Sequence, residues 1–156
     1  KMGLITNHRL KRLGFIFFIE GQKILNLESK SKNYASKIKL NKLFYNLDFQ
    51  SSANNIIIIS ASYEIYIKYI FPSNVKVFGS TINSKDGIIN KFTLNCYAEN
   101  KLSVLKKNKI NNIKRLYTDS YSDISLANIS NEIIIVKNDN LYECKDINDF
   151  KSYFSK

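Results

Sequence analysis

The run Ile56-Ile57-Ile58-Ile59 constrains this chain more than any other feature. Four β-branched residues in a row have no wet face, so such a strand needs cover on both sides, as in a parallel sheet flanked by helices. Related short runs recur at 75–78, 115–118 and 132–136. Between them lie stretches with helical character: 63–70, closed by Pro72; 100–107, with Leu102 and Leu105 three apart; and 122–128. Strands alternating with helices predict βαβ units and an α/β fold with a parallel core. Two segments break the rhythm. Residues 81–89 predict a hairpin turning at Asp86-Gly87, a flap inserted between parallel strands. Residues 146–154 predict a closing helix with Asp146 and Asp149 at its electropositive start.

The first fifty residues have another texture. Leu40, Leu43, Phe44 and Leu47 fall on one face of a helix. Residues 15–19 fit either a strand or a buried helical turn, and 29–33 read as a polar connector. A boundary is therefore expected near 50–54. Residues 1–53 would form a mostly helical segment and 54–156 an α/β body.

Composition narrows the classes. With 44% hydrophobic residues in 156, the chain can bury a real core. Its longest apolar runs, 15–19 and 56–59, fall far short of the roughly 20 residues of a bilayer span. The charged start leads to no small-residue cleavage site, so a cytoplasmic protein is the default expectation. Cys96 and Cys144 are far apart, as suits reduced, unpaired thiols. His8 is the sole histidine, which argues against a zinc site or a Ser-His-Asp triad. The net charge is +11, but lysines are scattered and arginine occurs only at Arg9, Arg12 and Arg115. Arginine is the usual reader of base edges, so nucleic acid ranks below a small anionic substrate. No membrane partner is expected.

Three features follow strand-like segments in order. Ser60, in Ile59-Ser60-Ala61-Ser62, places a hydroxyl where a strand gives way to a helix, a position suited to holding phosphate and equally to capping. Lys101 lies near a helix start and can offset a phosphoryl charge, although any one lysine here has a solvated surface as its default. Asp119 and Asp123, in Thr118-Asp119-Ser120-Tyr121-Ser122-Asp123, put two carboxylates at a strand-to-helix turn. Mg2+ takes one or two carboxylates plus waters and phosphate oxygens. Helix capping by Asp119 and Ser122 is the alternative.

The strings Ile-Ile-Ile-Ser-Ala-Ser, Phe-Gly-Ser-Thr, Asn-Cys-Tyr-Ala-Glu-Asn-Lys and Tyr-Thr-Asp-Ser-Tyr-Ser-Asp, in that order over residues 56–136, resemble the phosphoserine-phosphatase-like branch of the haloacid dehalogenase (HAD) superfamily. The resemblance implies a Rossmann-like core with a partial helical cap at the N-terminus and Mg2+-dependent hydrolysis of a small phosphorylated metabolite. It assigns Ser60, Ala61 and Lys101 to substrate, Lys101 also to catalysis, and Asp119 and Asp123 to the metal. Thr118 replaces the family's glycine, a tolerable change on β-like backbone. The larger departure is the first motif, Asp-x-Asp, whose leading aspartate is the family's nucleophile. No Asp-x-Asp occurs in the sequence; Asp48 is the only aspartate before Ser60, and Glu20 is a poor surrogate.

Two expectations cover the gap: a fragment whose nucleophile strand precedes Lys1, or an inactive form of the enzyme. A non-catalytic module for a phosphorylated ligand and a basic nucleic-acid-binding domain are the alternatives from other classes. The leading reading requires the strand ends bearing Ser60, Lys101 and the acidic pair to meet in one pocket.

Overall fold

A computed structural model describes residues 6–40 and 56–155. The fold is mixed α/β, with two three-stranded mixed sheets. The chain forms two compact units, Lys1–Lys39 with Phe49–Cys96 and Leu40–Asp48 with Tyr97–Lys156.

The first unit holds helices α1 (Asn7–Phe18) and α2 (Ile24–Ala35), strand β1 (Ile57–Tyr63), the short helix α3 (Glu64–Ile67), and strands β2 (Lys76–Lys85) and β3 (Ile88–Leu94). β1 pairs parallel with β2, and β2 antiparallel with β3. Ile57–Ile59 of the isoleucine run are thus strand, but they are half-buried rather than covered on both faces as their composition predicts. The expected strand at 75–78 and the first arm of the hairpin are one continuous strand, β2. Asp86 and Gly87 both take positive φ, 52° and 77°, the turn geometry whose twist suits a two-residue hairpin. Residues 15–19 resolve as helix: Phe15 is buried in α1, and its ring meets Phe92 of β3 at 5.9 Å. The expected polar connector at 29–33 is helical too, within α2, where Ser31 and Ala35 are buried and the polar residues around them face outward. The turn between the two helices closes the outer edge of β3, with Gly21 N donating to Ile89 O and Ile89 N to Gln22 O. The predicted helical face Leu43, Phe44 and Leu47 lies outside the described residues.

The second unit holds α4 (Glu99–Lys107), β4 (Ile113–Thr118), a 3-10 turn (Tyr121–Asp123) running into α5 (Ile124–Ala127), then β5 (Ser130–Lys137), β6 (Asn140–Cys144) and α6 (Ile147–Phe154). β4 pairs parallel with β5 and β5 antiparallel with β6. Leu105, Leu126, Ile133, Ile135 and Phe150 make the core. The Asp146 carboxylate caps α6, accepting from Asn148 N and Asp149 N at 2.7 and 2.9 Å. Phe150 then stacks on Tyr121 of the 3-10 turn, 6.2 Å between centroids, which fixes the helix against the segment following β4. The β5–β6 hairpin went unread in the sequence. Its turn is Asn138-Asp139, again with two positive φ values of 49° and 62°, but without glycine to mark it.

Gly79 shows how closely the first unit is built. A Cβ there would lie 2.8 Å from the Cα and N of Glu64 and from Cδ1 of Ile67, so only glycine lets α3 rest on β2. The Glu64 carboxylate accepts from Gly79 N at 3.0 Å and completes the contact. Gly79→Ala is expected to cost about 2 kcal/mol through overpacking, read as a lower urea midpoint at unchanged slope; an unaltered midpoint would show that α3 shifts freely.

Candidate functional site

The second unit gathers Lys101, Thr118 and Asp123. Lys101 lies in the first turns of α4, and Asp123 ends the 3-10 turn after β4; both are buried. Burial of either charge alone is costly, and each answers the other: Lys101 Nζ meets Asp123 Oδ1 at 2.6 Å, with both side chains 9% exposed. The second oxygen, Oδ2, accepts from the Thr118 hydroxyl at 2.8 Å. Thr118 is the last residue of β4, and its Oγ1 also accepts from Ser120 N at 3.1 Å. The departure from the family's glycine therefore falls on extended backbone, and the threonine supplies a hydroxyl that glycine lacks. Ser120 caps the 3-10 turn by accepting from Ser122 N at 3.2 Å. The alternative reading of the turn, capping by Asp119 and Ser122, is thus met by Ser120 instead. Ser120 was not singled out in the sequence, and Thr118 was read only as a departure from glycine; hydroxyls at a strand end leave no periodic signal.

Asp119 differs from its neighbour. It is exposed and makes no hydrogen bond or ion pair among the described residues. It opens on a cleft of about 380 Å³ at the C-terminal ends of β4 and β5, lined also by Ile135, Lys137, Asn138, Tyr153 and Phe154. Lys137 Nζ lies over the Tyr153 ring, 5.8 Å from its centroid, so the cleft presents one carboxylate and one ammonium on an aromatic wall.

Does this set fit Mg2+? Among the described residues no group of three or more His, Cys, Asp or Glu side chains comes together. Mg2+ is served by one carboxylate when waters and phosphate oxygens complete its shell. Asp119 meets that requirement. Asp123 has both oxygens engaged by Lys101 and Thr118.

Ser60 and Ala61 belong to the first unit, where helix α3 begins only at Glu64. The β1–β2 register holds through Ile59 and resumes at Tyr63, so Ser60, Ala61 and Ser62 form a bulge ahead of the helix. The Ser60 hydroxyl accepts from Ser62 N at 3.1 Å, a local turn. The Ala61 carbonyl accepts from the Ser80 hydroxyl at 2.7 Å and from Lys11 Nζ. Lys11 is a residue the sequence reading missed. Its ammonium reaches Ser80 Oγ at 2.7 Å and Asn95 Oδ1 at 3.4 Å, and lies 5.1 Å from the Tyr63 ring centroid. No carboxylate of the described residues pairs with it. Burial pushes its pKa below the ordinary lysine value, with the nearby Cys96 opposing, and burial pushes the Tyr63 phenol up.

No family model, curated protein or solved structure matches the chain.

The buried pair makes a quantitative expectation. Asp123→Ala strands a buried ammonium and is expected to cost roughly 3 to 5 kcal/mol, whereas Lys101→Met with Asp123→Leu recovers most of it. Equilibrium unfolding of the single and double variants measures this, and additive losses would refute coupling. Two residues beyond Asp123, Ser125 Oγ is buried without a hydrogen-bond partner among the described residues. Ser125→Ala is thus expected to leave stability unchanged or raise it by about 1 kcal/mol; a clear loss in the same assay would reveal a hidden partner.

Proposed function

We propose that the second unit binds a small phosphorylated molecule together with Mg2+ at Asp119, in the cleft beyond β4 and β5, as a HAD-like phosphatase module. The observation that carries this reading is the contrast between the two acids. Asp119 is unpaired and faces the cleft, while Asp123 is locked inward by Lys101 and Thr118. Ligands of parallel sheets bind beyond the carboxyl ends of the strands, and a carboxylate left without a partner there is available to a cation.

Mg2+, when bound, would neutralise charge on the phosphoryl oxygens. The chain's own residues then divide the work. Asp119 holds the metal. Lys137, on the far wall, offsets the remaining phosphate charge as a mobile point cation. Tyr153 and Phe154 cover the apolar part of the ligand. Lys101 acts through Asp123: the pair, with Thr118, fixes the turn that presents Asp119. It is a positioning residue in this scheme rather than a direct phosphate contact. The assignment of Mg2+ and a phosphorylated substrate rests on the order of motifs from Ser60 to Asp123 and on this geometry.

Turnover is a separate matter. The sequence holds no Asp-x-Asp, so the covalent aspartyl-phosphate route of the family has no nucleophile within it. Binding without appreciable hydrolysis is the expected behaviour of this chain. Small phosphomonoesters with Mg2+ are expected to raise its melting temperature, EDTA to remove the gain, and Asp119→Asn to abolish it with folding intact. p-Nitrophenyl phosphate should be cleaved no faster than in buffer. Brisk cleavage that Asp119→Asn abolishes would disprove the non-hydrolysing reading, and stabilisation persisting in that variant would disprove the site.

A further inference from the structure

Helix α1 is packed inside out. Its inward face carries Lys11, tied to Ala61, Ser80 and Asn95, beside the buried Phe15. Its outward face carries Leu10, Leu13 and Phe17, spaced i, i+3, i+7, which are 61%, 36% and 74% exposed. Ile16 and Phe18 are exposed as well, as is Leu25 at the start of α2. Arg9 and Arg12 lie on the same helix, exposed and without an ion pair among the described residues. The helix Asn7–Phe18 contains no acidic residue.

We propose that the outward face of α1 is a docking surface for an anionic lipid bilayer, with Leu10, Leu13 and Phe17 entering the acyl boundary and Arg9 and Arg12 meeting the headgroups. The inference is independent of the phosphate reading. Leucine and phenylalanine beside arginine, on a helix too short to span, are the chemistry of an interfacial helix. No helix of the described residues is long and apolar enough to cross a membrane, and the contact proposed for α1, twelve residues long, is with the surface. Charge decides between occupants. A second copy would bring together two chains of net charge +11, each adding two unpaired arginines to the contact, and like charges across an interface oppose association. Nucleic acid would satisfy the arginines and leave the Leu-Phe stripe against sugar and phosphate. An anionic bilayer satisfies both halves of the face, and its negative surface attracts the whole basic chain.

Vesicle sedimentation of the full chain tests this. The protein is expected to pellet with phosphatidylcholine vesicles containing about one-third phosphatidylserine and to stay in solution with phosphatidylcholine alone. Leu13→Ser with Phe17→Ser should lower the bound fraction roughly tenfold, and Arg9→Glu with Arg12→Glu should do likewise. Both double variants should melt with the wild type, since these side chains contribute little to the core. Four outcomes would overturn the proposal. The first is a wild type indifferent to phosphatidylserine. The second is a Leu13/Phe17 variant that binds as well as wild type, which leaves a general cationic patch of the kind that takes oligonucleotides. The third is a lower melting temperature for that variant, which shows the face to be covered by the protein itself. The fourth is a dimer in sedimentation equilibrium that the variant loses, which makes the occupant a second copy.

Discussion

An ammonium cannot be taken out of water without acceptors around it, and that requirement organises both units. In the second unit Lys101 is answered by a full charge, the Asp123 carboxylate at 2.6 Å, and the other carboxylate oxygen is answered by Thr118. Because desolvating each ion costs several kcal/mol, the geometry of this pair is not negotiable. It ties α4 to the turn after β4 and so determines where that turn sends its next side chains. In the first unit Lys11 meets the same requirement differently, with a carbonyl, a hydroxyl, an amide and an aromatic face. Neutral partners compensate less completely, in keeping with a pKa pushed down by burial. Lys11 reaches the Ala61 carbonyl in β1, and Lys101 reaches the turn that follows β4.

The two units share an order of elements. β1, α3, β2 and β3 are followed later by β4, α5, β5 and β6, each set a parallel pair joined through a short helix and extended by an antiparallel hairpin strand. The crossovers, residues 64–75 and 119–129, are close to the shortest that can return a chain to a parallel neighbour. Short crossovers leave little slack. In one, Gly79 must omit its side chain so that α3 can lie on the sheet; in the other, the buried ion pair holds the first residues of the return. Constraint therefore concentrates where β1 and β4 end, the region in which parallel sheets ordinarily bind ligands.

How much of this was legible follows the same physics. Unbroken β-branched runs announced β1 and β5, and Asp86-Gly87 announced its hairpin, because both signals are local and unambiguous. Asn138-Asp139 makes an equivalent turn, but asparagine and aspartate also serve as caps and loop residues, and β6 beyond it is exposed along most of its length, so no apolar pattern marked it. Helix α1 was illegible for a stronger reason. It turns a half-buried lysine inward and exposes leucines, the reverse of the pattern by which an amphipathic helix is recognised. At the site, Lys101, Asp119 and Asp123 stood out in the sequence by order and spacing. Sequence could not tell that one acid is locked and the other unpaired, because that depends on which carboxylate the buried ammonium reaches.

That distinction bears on what chemistry the second unit can support. Two acids at a turn suggest a pair of metal ligands, yet a carboxylate already bonded to an ammonium and a hydroxyl would have to leave a buried ammonium unanswered to take a cation. Stranding a buried ammonium costs several kcal/mol, and a hydrated Mg2+ dehydrates reluctantly and needs only one or two carboxylates. Within the proposed function, Asp123 would set position and Asp119 would meet the ligand. Lys101 is engaged by Asp123, and Lys137 is the ammonium that shares the cleft with Asp119. On the proposed reading, metal and phosphate would be held from the two walls that carry Asp119 and Lys137.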